Sequence, residues 1–210
     1  MEHTDRRMAL GTLLALGTAA TATGEAKAAS HSTHNSLAQQ VEELMSRAQI
    51  SEVLLDYARG NDRLDEAMIR SCFWPESTHK HGKFDGKSSD FVVYAAKILG
   101  GLKYTAHHIS NISIKVDGDR AFTESYYFAH HRRPAKEGGS EEDAFFEGRY
   151  LDDFERRGGV WKIIRRRGLS DYSAPPQPAP SAYADWPAGV HSVRGTEDDY
   201  YTMLAKFMKR

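Results

Sequence analysis

The feature that most constrains this chain is a change of period near residue 100. Before it, Leu37, Val41, Leu44, Met45 and Ala48, then Ile50, Val53, Leu54, Tyr57 and Ala58, recur three and four apart, which is the spacing of a helix face. Gly60-Asn61 supplies a stop for that helix. Shorter helical patterns follow over residues 64–73, ended by Pro75, and 88–99, ended by Gly100-Gly101. After them, residues 104–116 and 121–131 are rich in β-branched and aromatic side chains, with the tight-turn signal Asp117-Gly118-Asp119 between them. A second strand pair, 145–156 and 160–168, flanks Gly158-Gly159. Helices first and a meander of long strands afterwards predict an α+β fold, a curved antiparallel sheet with about three N-terminal helices on one face.

The ends read differently. Arg6-Arg7 precedes a small-residue, apolar stretch from Met8 to about Thr23, and Ala26-Lys27-Ala28 follows as a cleavage-type motif. Residues 1–28 are therefore expected to be an export signal of twin-arginine type, although only Ala9-Leu10 stands where that signal usually carries Phe-Leu. The stretch is too short and too weakly apolar for a membrane span, so the expected location is periplasmic or secreted. Residues 29–35 read as a linker, 36–173 as the folded domain, and 174–210 as a Pro-rich extension with a short helix near 197–209.

With 28 Lys and Arg against 29 Asp and Glu, the chain is nearly neutral, and nothing in it predicts a nucleic-acid partner. Cys72 is the single cysteine, which excludes an internal disulfide and a cysteine metal cluster. Its apolar neighbours Ile69 and Phe73 predict a buried structural thiol.

Three segments resemble the SnoaL-like, nuclear-transport-factor-2-like superfamily. They are Leu55-Asp56-Tyr57-Ala58-Arg59-Gly60-Asn61-Asp62, Thr105-Ala106-His107-His108-Ile109-Ser110-Asn111, and the strand pair from Glu147 to Ile163. The resemblance spans about residues 36–173 and implies a cone-shaped half-barrel open at one end to a small, largely apolar or cyclic organic molecule. It also implies a homo-oligomer, a dimer or trimer, formed through the outer sheet face. Scytalone dehydratase, bile-acid 7α-dehydratase and hexachlorocyclohexane dehydrochlorinase are similar in this arrangement. In those enzymes a strand histidine paired with an aspartate after the first helix is the base of an elimination. The matching positions are His107 and Asp62. Tyr57 matches a pocket tyrosine, and Arg149 matches a pocket arginine of related lyases.

An imidazole is suited to proton transfer at neutral pH, and a carboxylate on one ring nitrogen fixes its tautomer and steadies the imidazolium. The expected activity is thus a cofactor-independent lyase, a dehydratase or related eliminating enzyme. His107 is the base, Asp62 its orienter, Tyr57 a donor to the leaving oxygen, and Arg149 a stabiliser of developing negative charge. His79, His130 and Trp74 are expected to meet substrate; His108 faces the other side of its strand. The alternatives are a non-catalytic ligand-binding protein and an isomerase or cyclase using the same base. A histidine-bound metal, with His79, His81 and His130 as ligands, is the lesser reading, because no carboxylate is spaced to complete a facial triad; no cofactor is expected.

Overall fold

The computed structural model describes residues 36–186 and 191–209; the expected export signal and linker lie outside these residues. Helix α1 (Leu37–Arg63) opens with a capping box, in which Ser36 Oγ accepts from the Gln39 amide and the Gln39 side chain accepts from the Ser36 amide. It runs past Gly60-Asn61, so Asp62 sits in the last turn rather than beyond the helix. Leu64 closes it in the left-handed conformation, and the Asp65 amide returns to the Gly60 carbonyl. Helix α2 (Glu66–Ser71) is capped by Asp65 and shorter than its sequence pattern. Strand β1 (Phe73–His81) starts before Pro75, which sits in an irregular stretch of that strand where no ladder amide is required.

Strand β2 (Phe84–Lys87) forms a hairpin with β1, and helix α3 (Ser88–Gly100) follows. Four long strands complete the sheet: β3 (Tyr104–Asp117), β4 (Arg120–Arg133), β5 (Glu142–Arg157) and β6 (Val160–Ser173). The strand order is β2-β1-β6-β5-β4-β3, with the two-residue β7 (Gln177–Pro178) pairing outside that path with β5. All pairings are antiparallel except β1 with β6, which is parallel. The sheet is therefore mixed, since the chain reaches β1 from the helices rather than from a hairpin with β6. A single turn of 3-10 helix (Tyr183–Asp185) and helix α4 (Asp199–Phe207) lie in the C-terminal segment.

Helices α1, α2 and α3 pack on the inner face of this curved, unclosed sheet. Ile50, Leu54 and Tyr57 of α1 and Phe91 and Val92 of α3 join Tyr127, Tyr150, Phe154, Trp161 and Ile163 of the sheet in one buried cluster. Gly60 lets α2 close on α1, because a Cβ there would stand 2.6 Å from Ile69 Cγ1. Cys72 is buried, its thiol is pushed up to about 12 by desolvation, and Sγ lies 3.3 Å from the Met68 carbonyl, so it is a packing residue.

Candidate active site

The last turn of α1 lies against β3, and there the Asp62 and His107 side chains meet. Asp62 Oδ1 is 2.7 Å from His107 Nδ1, and Asp62 Oδ2 accepts the His107 backbone amide at 3.0 Å. An ionised carboxylate can only accept, so Nδ1 carries the proton and Nε2 is left as an acceptor. The two side chains are 13% and 11% exposed respectively, which places the pair at the edge of the interior and away from bulk solvent.

Inward-facing side chains of the sheet form successive layers beneath this pair. Along β4 they are Ala121, Thr123, Ser125, Tyr127, Ala129 and His131. One layer crosses four strands through the pairings Thr123–Asp152, Asp152–Arg166 and Arg166–His79. Its centre is a buried ion pair: Arg166 Nε and Nη2 donate to the two Asp152 oxygens, each at 2.7 Å. The guanidinium carbon lies 4.0 Å from the Tyr57 ring centre and 4.4 Å from that of Tyr150. Burial opposes the Arg166 charge, but Asp152 keeps it protonated.

Three neutral imidazoles line this inner face, and two of them, His79 and His81, lie beside that cation. His79 is 1% exposed and stacks on Phe91 with ring centres 3.5 Å apart; burial, Arg166 and His81 push its pKa down to about 2. His81 lies parallel to it and against Tyr150, and burial, Arg166 and His107 lower it to about 4. His131 stands edge-on to His107, 5.6 Å between ring centres, and burial followed by the neighbouring His107 lowers it to about 3. Several atoms of this inner surface are buried without a hydrogen-bond partner among the described residues: both His79 nitrogens, His131 Nε2, Thr105 Oγ1, Ser125 Oγ and Arg166 Nη1. Such atoms are rare in a finished core and are the natural contacts of a bound polar group.

Other expected site residues lie elsewhere. Tyr57 is inside but deep, packed edge-on to Phe73 and Tyr150 and facing Arg166. Arg149 is on the outer sheet face, bound to Asp171 and Glu124 at 3.0 Å, because inward positions of β5 are the even-numbered Tyr150, Asp152 and Phe154. Trp74 also points outward; its indole donates to the Glu155 carbonyl and its ring meets Arg157 and Lys162. His130 is on the outer face with Asp143 at 2.6 Å, stacked on Phe145. His108 meets Phe128 on that same side.

The exchange of His130 for His131 has a specific cause. Counting back from the Asp117–Arg120 turn pair would set His107 opposite His130. A bulge at Asn111, whose φ is +46°, shifts the register between Ser110 and Ser113, so His107 pairs with Ala129 and His131 joins its face. Among the described residues no three His, Cys, Asp or Glu side chains gather as a metal-binding group; the ring planes of His79 and His81 stack, and His130 is on the opposite face. Arg166 escaped the sequence reading as one of three consecutive arginines; strand parity alone distinguishes it from Arg165 and Arg167.

The uncharacterized protein Rv2910c of Mycobacterium tuberculosis is 30% identical over 130 residues, 60% of this chain and 86% of that relative. Among solved structures, a hexachlorocyclohexane dehydrochlorinase (LinA Type2) superposes with a TM-score of 0.60 at 24% identity, over 72% of this chain and 99% of that one. A provisionally assigned scytalone dehydratase from Novosphingobium aromaticivorans gives 0.58 at 22%, over 64% and 90%. A nuclear transport factor 2-like superfamily protein from Salmonella enterica gives 0.54 at 16%, over 68% and 98%. Residues 42–167 match the SnoaL-like domain, and the chain belongs to that family, with the cone fold of the nuclear-transport-factor-2-like superfamily.

Proposed function

We propose that this protein is a cofactor-independent lyase that eliminates water or a comparable leaving group from a small cyclic compound. The observation that carries the reading is the Asp62–His107 pair, 2.7 Å apart and largely shielded from solvent, beside a surface of unpartnered polar atoms. In the proposed step, His107 Nε2 takes a proton from a carbon adjacent to the one bearing the leaving group. The C–H electron pair becomes the new C=C bond, and the leaving group departs with its own pair. The imidazolium formed beside Asp62 then returns its proton to a departing hydroxide, which leaves as water.

Arg149 has no part in this step, since it is bound on the outer face. The inward cation is Arg166, whose free Nη1 and neighbouring Tyr57 are the groups proposed to receive the leaving oxygen. His79, His81 and His131 stay neutral and offer hydrogen bonds without adding charge. Two of the similar folds are a dehydrochlorinase and a provisionally assigned dehydratase, which makes elimination the first chemistry to assay.

The test is a panel of cyclic alcohols and chlorocycloalkanes assayed for alkene formation with the wild-type protein and His107→Ala. A substrate turned over by the first should lose about 100-fold to 10,000-fold in the second, the usual worth of a positioned general base. Equal turnover by both proteins would remove His107 from the chemistry.

A further inference from the structure

We infer that Arg194, contributed by the C-terminal segment beyond the family match, selects ligands carrying an ionised acidic oxygen, of carboxylate type, at the mouth of the site. The inference deepens the proposed function and rests on its placement of the site at Asp62 and His107. Its starting observation is how the segment is fastened. The Gly195 amide donates to the Arg63 carbonyl at 2.6 Å, Arg63 faces Asp198 at 3.8 Å, and Tyr201 Oη donates to Asp65 at 2.7 Å. These contacts tie residues 194–201 to the end of α1, directly beside Asp62.

Arg194 itself turns toward the start of β3. Its Nη1 donates to the Leu99 and Leu102 carbonyls, both at 2.9 Å, at the end of α3. Its Nη2 is buried without a partner among the described residues. The charged and titratable groups within electrostatic reach are Tyr183, Arg63, Asp62 and His131. Asp62 and Tyr183 favour the charge through space, but none of the four is hydrogen-bonded to the guanidinium. Both Asp62 oxygens are occupied by His107, Arg63 is a like charge, and His131 is neutral with a free Nε2.

The contrast with the two fully buried arginines is informative. Arg166 is paired with Asp152, and Arg132 is paired with Asp143 and Glu141. Arg194 is held only by carbonyls, and among the described residues no carboxylate forms an ion pair with it. A desolvated guanidinium with no carboxylate paired to it is costly, and an incoming anion offsets that cost. The free Nη2 and the neighbouring imidazole fit one carboxylate, with the apolar body of the ligand directed toward Tyr127 and Ala129.

Benzoate and its neutral isostere benzamide are suitable probes, titrated into the full-length protein and followed by NMR. The wild type should bind benzoate about tenfold more tightly than benzamide, the ratio that one charged contact of about 1.4 kcal/mol sets. Arg194→Gln should bring the two affinities to within about twofold while leaving benzamide binding unchanged, and Arg194→Lys should keep part of the preference. A preference that persists in Arg194→Gln, no preference in the wild type, or no binding of either probe would overturn the inference. A fall in benzamide binding equal to that in benzoate binding would also do so, showing a merely structural strap. Turnover is read in His107→Ala and ligand preference in Arg194→Gln, so the two claims are tested in different variants and each can fail alone.

Discussion

Three of the interior histidines make the fold sensitive to acid. His81, His131 and His79 have native values near 4, 3 and 2, all below the ordinary 6.5, because the folded interior disfavours their charged form. As pH falls, the unfolded chain therefore takes up protons first. Stability is complete above about pH 6.5 and declines through the window between the ordinary and native values, by up to about 1.4 kcal/mol per pH unit for each histidine. The urea midpoint should accordingly drop between about pH 7.5 and about pH 5, while most carboxylates remain charged. A midpoint that stays level or rises over that interval would mean these imidazoles are not buried neutral. At this scale the sequence was only partly legible. His107 and Asp62 could be named from their segments, whereas His131 and Arg166 depended on strand parity, which for His131 turned on the single extra residue at Asn111.

At the scale of elements, the legible part was the period. The long amphipathic helix, the tight turns at Gly118 and Gly158 and the four long strands follow from local spacing, which acts within a few residues. The ends of α1 and α2 and the parallel β1–β6 pairing did not, because they are decided by contacts between distant segments. Gly168 shows such a contact: a Cβ on this β6 residue would lie 2.6 Å from the His81 ring on β1. Gly168→Ala should displace that imidazole and destabilise the protein by about 1–3 kcal/mol, the usual cost of overpacking. The same substitution should disturb the His79–His81 stack, visible as shifts of both imidazole resonances. An unchanged melting temperature with unchanged imidazole signals would show that β1 and β6 are less closely joined than described.

For the whole molecule, the central division is between a self-contained cone and the C-terminal segment fastened at the ends of α1 and α3. The buried cluster contains no residue beyond Ile163, so the cone does not depend on the C-terminal segment for its core. A chain ending at Ser173 should therefore fold, with amide protection across β4, β5 and β6 retained. Amides around Asp62–Leu64 and Leu102–Thr105 should exchange faster, because the Gly195, Arg194 and Tyr201 contacts are gone. Unchanged exchange at the mouth would detach the segment from the site, and general loss of protection would make it part of the core.

The most direct measurement is the protonation of the His107 imidazole by 15N NMR at neutral pH, in the wild type and in Asp62→Asn. The account predicts a slowly exchanging proton on Nδ1 and an unprotonated Nε2 in the wild type, with that protected Nδ1 signal lost in the variant. A proton resident on Nε2, or an imidazole indifferent to residue 62, would contradict it.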